Sequence, residues 1–437
     1  MTVNTTEIYK GKMRLHTIGV DKFKMSRFSI SFICESDRVK TPLSRLMLAV
    51  MMRGSQKYPT AAKINKALDE QYGATVSLRS QTFGDKSLYR ISCKLLKDEY
   101  ALKGDKTDIL ESVMAILSDI LLNPLKDENG LLNGSFVESE KKIAADAIRA
   151  KINDPRAYAS EQCSKIMFRD SKYEVVLDGN EELIEGFSAT DVTENIYDFF
   201  NNCRIEIFYV GSENKERISD LVKRYFPFST LPSKPLDYNE SAFKHNDRRV
   251  KCVEETGDVT QGRLVLGYRC NTVLSDADYY GMALFNEIFG GGYTSKLFMN
   301  VREKESLCYY CYSSLHSATG TIKAGCGIDP LKKDDALNEI AAQLELMKQG
   351  NITEEEIATA KNTLISGVKQ IYDSPAAIEA FFLRRIMAGM NDMPEDSVKR
   401  INAVEKSEIV DAAAKVELDT VYFMRGNIPE GEEEDDE

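Results

Sequence analysis

Histidine is scarce in this 437-residue chain. His16, His245 and His316 are its three. They lie too far apart to give the two imidazoles, four residues apart on one helix, that a helical zinc site takes. A signal-type start is missing too, because residues 1–20 (MTVNTTEIYKGKMRLHTIGV) hold no apolar core. The longest unbroken apolar run, residues 46–52, is far short of the ~20 residues a membrane span needs. Nor is there a basic excess: the formal net charge is −12, whereas nucleic acid calls for a basic footprint. These absences predict a cytoplasmic chain with no membrane and no nucleic-acid partner.

With 43% hydrophobic and 29% charged residues, the composition suits ordinary globular cores. The length suits two or more domains. Seven acidic residues sit in the tail 430–437 and leave −5 on the rest of the chain; the tail reads as a disordered, solubilising end. Nine cysteines are scattered through apolar, strand-like runs such as 31–34, which predicts free, buried thiols. Cys308 and Cys311 form a C-x-x-C, but no second pair or histidine completes a zinc set. On a regular strand, positions i and i+3 also face opposite sides.

Along the chain, strands are expected at 8–15 and 28–34. A helix then runs over 41–52, with Thr41 as cap, Pro42 in the first turn and Gly54 as its C-terminal glycine. Seven consecutive apolar residues leave it no polar face, so it should be buried on several sides. A helix 61–72, strands 74–80 and 87–97, and an amphipathic helix 108–122 follow. A long helix 136–153 is closed by Asn153-Asp154-Pro155, and helical sequence continues to about 191 before a strand 204–210 ends at Gly211. Residues 226–247 are rich in Pro, Ser and Lys and read as a linker.

The second half repeats this programme. It offers a strand 263–268, helices 276–289 and 295–301, strands 307–314 and 321–328, and helices 333–348 and 353–372. The last helix is closed by Asp373-Ser374-Pro375, and a strand 421–424 precedes Gly426. Two landmarks recur, a long helix closed by N-D-P or D-S-P and a final strand closed by glycine. They predict an internal duplication of an α+β unit: a first domain 1–225, the linker 226–247, a second domain 248–429 and the acidic tail 430–437.

Residues 290–312, GGGYTSKLFMNVREKESLCYYCY, carry the most distinctive pattern. Gly290, Gly291 and Gly292 suit either a helix C-cap or a loop that lets a peptide or partner backbone approach. Arg302 near a helix end and Tyr309 in the next strand can be brought together by a helix-to-strand turn, placing five donors beside a phenol. The plain alternative is an arginine paired with Glu303 or Glu305 and a core tyrosine.

On this stretch, with Arg53-Gly54-Ser55 and Asn153-Asp154-Pro155 in the first half, the chain resembles the insulinase-type (M16) metallopeptidase family in its short, processing-peptidase-like branch. The resemblance implies an α+β fold of two tandem two-layer α/β domains of the LuxS/M16 type, forming a half clam shell. Active members carry H-x-x-E-H on the first buried helix, two histidines for zinc and a glutamate to activate water. The matching positions here are Arg45, Leu48 and Ala49, and the third ligand's position is Ala147. Glu140 matches another family glutamate. Arg45 on so apolar a helix needs a partner, with Asp146 or Glu140 as candidates.

The resemblance therefore implies a chain without metal or cofactor of its own, its zinc belonging to an M16-type catalytic subunit that carries H-x-x-E-H. Arg302 would hold a substrate backbone carbonyl and Tyr309 would support the oxyanion, for a peptide or unfolded-protein substrate. In isolation a homodimer stays open beside the heterodimer. The alternative is a structural or peptide-binding scaffold, as in the inactive core subunits of the respiratory bc1 complex. A Ser-His-Asp or Cys-His arrangement finds no support, and each histidine reads as a surface or turn residue.

Overall fold

The computed structural model describes residues 2–9, 13–104, 107–228, 242–243 and 249–426. Most of the expected linker, His245 within it and the acidic tail lie outside the described residues. Eleven strands are formed among the described residues: β1 (Thr2–Tyr9), β2 (Met13–Gly19), β3 (Met25–Glu35), β4 (Thr75–Phe83), β5 (Lys86–Leu96), β6 (Arg204–Gly211), β7 (Lys251–Thr256), β8 (Gly262–Arg269), β9 (Cys308–His316), β10 (Thr321–Ile328) and β11 (Glu417–Arg425). The helices that matter for the site are α1 (Lys40–Met51), α2 (Ala61–Asp69), α3 (Ile109–Leu122), α4 (Gly134–Ala150), α5 (Pro155–Met167), α6 (Glu181–Gly186), α7 (Ala189–Asn202), α8 (Lys215–Tyr225), α9 (Tyr279–Asn286), α10 (Lys333–Lys348), α11 (Glu354–Gln370) and α12 (Pro375–Met387). Two π-helical segments, Glu287–Gly291 and Leu297–Lys304, follow α9.

Two sheets result, β1-β2-β6-β3-β5-β4 and β7-β11-β8-β10-β9. Apart from the extra edge strand β1, they share one plan. A parallel pair (β2·β6, β7·β11) is followed by three antiparallel pairings in the same order. The repeated sequence landmarks thus correspond to a repeated topology. Strand 8–15 straddles the end of β1 and the start of β2. Strand β7 had no sequence signal, being a short edge strand whose residues are mostly exposed.

The chain groups into two compact units that do not follow the two sequence halves. Unit 1 holds residues 1–149, 175–237 and 372–384; unit 2 holds 150–174, 238–371 and 385–437. Helix α5, which follows the N-D-P of the first half, packs in unit 2 on β8 and β11 through Ala159, Cys163 and Ile166. Most of α12, which follows D-S-P, belongs to unit 1. There its fully buried Glu379 takes hydrogen bonds from Ser29 (2.8 Å), Arg90 (3.1 Å) and Arg27. A buried carboxylate between two guanidinium groups is tolerated because all three are paired.

In unit 1 the apolar face of the sheet packs on α1 and α3, with Phe28, Ile30, Phe32, Met47, Leu48 and Ile116 at its centre. As expected, α1 is buried on several sides. Its start differs: Asp37 accepts the backbone N–H groups of Val39 and Lys40 (2.8 Å each), while Thr41 Oγ1 accepts the Asp37 N–H (3.0 Å). Gly54 is a site of close approach rather than a left-handed cap, since a Cβ there would lie 2.9 Å from the Pro59 carbonyl oxygen. The core of unit 2 is built the same way from Leu264, Leu266, Phe285, Phe289, Leu297, Val301 and Ile340. No helix among the described residues is long and apolar enough to cross a membrane.

Candidate functional site

Three of the first-half positions, Arg45, Leu48 and Ala49, lie on α1 and the fourth, Ala147, on α4, and none has a side chain that ligates zinc. Leu48 is fully buried in the core, and Ala147 is exposed on α4. Arg45 pairs with neither Asp146 nor Glu140. Its Nη1 lies 2.7 Å from Asp178 Oδ1, contributed by the turn before α6. Glu140 instead accepts Arg53 Nε just beyond the end of α1, and Asp146 pairs with Arg149. Among the described residues no group of three or more His, Cys, Asp or Glu side chains is placed to hold a metal ion.

His16 corrects the expectation of a surface histidine. It is 2% exposed and stacks on Phe208 at 4.6 Å. Its Nε2 sits 2.7 Å from the buried Glu206 carboxylate, and its Nδ1 3.0 Å from Thr5 Oγ1. Strand sequence concealed this, because Glu206 lies 190 residues away on β6. His316 is exposed as expected and contacts Ser314 Oγ at 3.2 Å.

In the second half, α9 runs into the first π-helical segment, where Gly290 presses on β9. A Cβ at Gly290 would stand 2.5 Å from the Ser313 backbone nitrogen. At Gly291 and Gly292 a Cβ would meet the Glu287 carboxylate at 2.5 and 2.9 Å. The three glycines therefore serve packing within unit 2, giving room to β9 and to Glu287; none has positive φ. Gly292 is the C-cap of the segment Glu287–Gly291, as one of the two expectations had it, but in extended rather than left-handed conformation.

The second π-helical segment carries Arg302. Leu297 and Val301 anchor it in the core, Asn300 donates to Gln343 on α10 (2.9 Å), and the flanking Lys296 pairs with Glu356 (2.8 Å). Ser306, with φ 52°, turns the chain into β9. Arg302 lies over the Phe298 ring at 4.6 Å and approaches Glu303 at 3.6 Å, its side chain 38% exposed.

Strand β9 opens with a bulge. Ile328 pairs with Cys308 and Gly327 with Tyr310, leaving Tyr309 without a cross-strand partner. Two residues facing one shift the alternation by one position. Cys308 consequently turns into the core with Cys311, and Tyr309 is expelled to 70% exposure. Without the bulge, Tyr309 would be the core tyrosine of the plain alternative, and the two cysteines would face opposite sides as expected. Instead the Cys311 side chain hydrogen-bonds Cys308 and lowers its thiol pKa; burial opposes this and the nearby Arg302 charge adds to it. No shift of this kind was visible in sequence, because a bulge depends on the partner strand.

On the opposite face, Tyr310 and Tyr312 cover Gly327 and Gly325 of β10, and Arg156 from α5 lies over both rings at 4.7 and 4.1 Å. Beside them Lys323 donates to Ser160 Oγ and Ser164 Oγ (2.9 Å each), with burial lowering its pKa. Arg302 and Tyr309 thus occupy adjacent elements of unit 2, and among the described residues the Tyr309 hydroxyl makes no hydrogen bond.

Residues 186–364 match a family described as "Peptidase M16 inactive domain". The chain is similar to the "probable inactive metalloprotease YmfF" of Bacillus subtilis (strain 168), 27% identical over 97% of this chain and 98% of that protein. It is also similar to an "uncharacterized zinc protease YmxG" of the same organism, 22% identical over 67% of this chain and 69% of that protein. Among solved structures, a conserved protein from Enterococcus faecalis V583 superimposes with a TM-score of 0.90 at 26% identity, covering 98% of this chain and 99% of the other. A peptidase M16 inactive domain from Pseudomonas fluorescens shares the fold, with a TM-score of 0.77 at 15% identity over 98% and 99% of the two chains.

Proposed function

We propose that this chain, which is similar to M16 peptidases described as inactive, is the non-catalytic subunit of a heterodimeric zinc metallopeptidase. Its partner is an M16-type chain carrying H-x-x-E-H, and the zinc with its activated water is the partner's. This chain binds an extended peptide and completes the partner's site with Arg302 and Tyr309. The carrying observation is the bulge of β9, which expels Tyr309 with its hydroxyl unpaired. A tyrosine of purely structural use would sit in the position Cys308 takes.

The chemistry asked of the pair is modest. The Arg302 guanidinium offers a fork of donors to a peptide carbonyl. The Tyr309 phenol donates to the oxygen on which negative charge develops, an interaction worth about 2.7–4 kcal/mol where such donors have been removed. Stacking on Phe298 limits the rotamers open to Arg302, which lowers the entropy lost on binding.

Mixing the purified chain with an H-x-x-E-H-bearing chain of the same cell tests the reading. The mixture should cleave an unstructured peptide that neither chain cleaves alone. Cleavage by the partner alone at the mixture's rate leaves this chain as a scaffold.

A further inference from the structure

Beside Gly291 and Gly292, unit 2 holds a cavity of about 220 Å³ between the first π-helical segment and α11. Ile288, Met299 and Ala360 give it apolar walls; Glu287, Thr294 and Thr359 bring oxygen atoms to it. Its volume exceeds the ~150 Å³ that suffices for benzene in an apolar protein cavity. It is large enough for four methylenes and an ammonium.

The acidic groups here are not equivalent. Glu356 is already engaged, by Lys296 at 2.8 Å and by the backbone N–H of Thr353 at 2.8 Å. Glu355 is exposed. Glu287 is half-buried, and among the described residues its carboxylate makes no hydrogen bond or ion pair. Burial is the one cause that raises its pKa, with no cation offsetting it. Two consecutive glycines leave room for this carboxylate. An unpaired, half-buried carboxylate in a partly apolar cavity is free to take a cationic ligand, with no internal partner to displace.

We propose that this cavity is a specificity subsite that receives a lysine side chain of the bound peptide, its stem along Met299, Ile288 and Ala360 and its ammonium on Glu287. The inference rests on the peptide-binding reading above and adds the class of side chain preferred. A compact ammonium with three rotatable donors can use the Glu287 carboxylate together with the threonine oxygens of the lining, while its four-methylene stem lies along the apolar walls.

The test uses fluorescence anisotropy on the full chain with two short unstructured peptides that differ only in lysine versus acetyl-lysine. The wild type should bind the lysine peptide about tenfold more tightly, and Glu287→Gln should remove the difference while still binding both. Thermal melts show that the variant is folded. Equal binding of the two peptides by the wild type, or a lysine preference that survives Glu287→Gln, overturns the subsite and leaves peptide binding standing. Failure to bind either peptide overturns the peptide-binding reading and the subsite with it.

Discussion

The helix after the third strand of the first sheet, α1, and the helix after the second strand of the second sheet, α9, hold equivalent places in the repeated topology, yet their surroundings differ in kind. Around α1 every arginine has found a carboxylate: Arg45 has Asp178 and Arg53 has Glu140. Around the end of α9, Glu287 faces a cavity with no partner, and the following elements present Arg302 and Tyr309 outward. One neighbourhood has been closed by internal ion pairs; the other pairs Lys296 with Glu356 and Arg302 with Glu303, yet leaves the Glu287 carboxylate and the Tyr309 hydroxyl without a partner among the described residues. In a duplicated fold the two repeats can thus differ in which polar groups are left unpaired, and the second repeat is where function should be sought.

That contrast can be broken most severely at Gly290. A Cβ at Gly290 collides with the Ser313 backbone rather than with a flexible side chain. Gly290→Ala should cost unit 2 about 1–3 kcal/mol, seen as a lower-melting transition in calorimetry. Next comes Glu140→Ala, which leaves Arg53 unpaired beside α1. The expected loss is about 1–3 kcal/mol in urea melts, at the low end because a third of the Arg53 side chain is in water. A match of that cost by Arg53→Ala supports a pair whose role is structural.

The smallest expected effect has the opposite sign. The folded-state pKa of Glu287 is raised by burial, so its ionised form opposes folding. The stability it contributes is present below the ordinary carboxylate range and is lost as pH rises through the raised value. Glu287→Gln should therefore be the more stable protein near neutral pH, by less than about 0.5 kcal/mol given the partial exposure. The advantage should vanish in acid. A wild type that is the more stable of the two at neutral pH would mean that Glu287 is paired after all, and the two neighbourhoods would no longer differ.

Much of the fold was legible because it is written locally. Apolar alternation gave β10 and the helical period gave α10 at their observed limits. The recurring N-D-P and D-S-P landmarks carried the duplication. What stayed hidden depends on distant residues. Asp178 sits in a featureless turn, so the Arg45 partner fell to nearer carboxylates on α4. His16 looked exposed because Glu206 and Thr5 meet it only across the sheet. The transfer of α5 into unit 2 is invisible in a chain read from end to end, since the sequence of α5 specifies a helix and not which sheet it packs on. At the proposed site, Arg302 and Tyr309 were singled out by spacing and resemblance. The bulge that frees Tyr309 was not, and neither was the open carboxylate of Glu287.

Single-turnover cleavage by the mixture of this chain with the proposed H-x-x-E-H partner measures the central claim most directly. Arg302→Ala and Tyr309→Phe should each slow cleavage about 10²–10³-fold, with the two chains still eluting together on gel filtration. Unchanged cleavage by both variants would contradict the account, leaving Tyr309 exposed without a catalytic part.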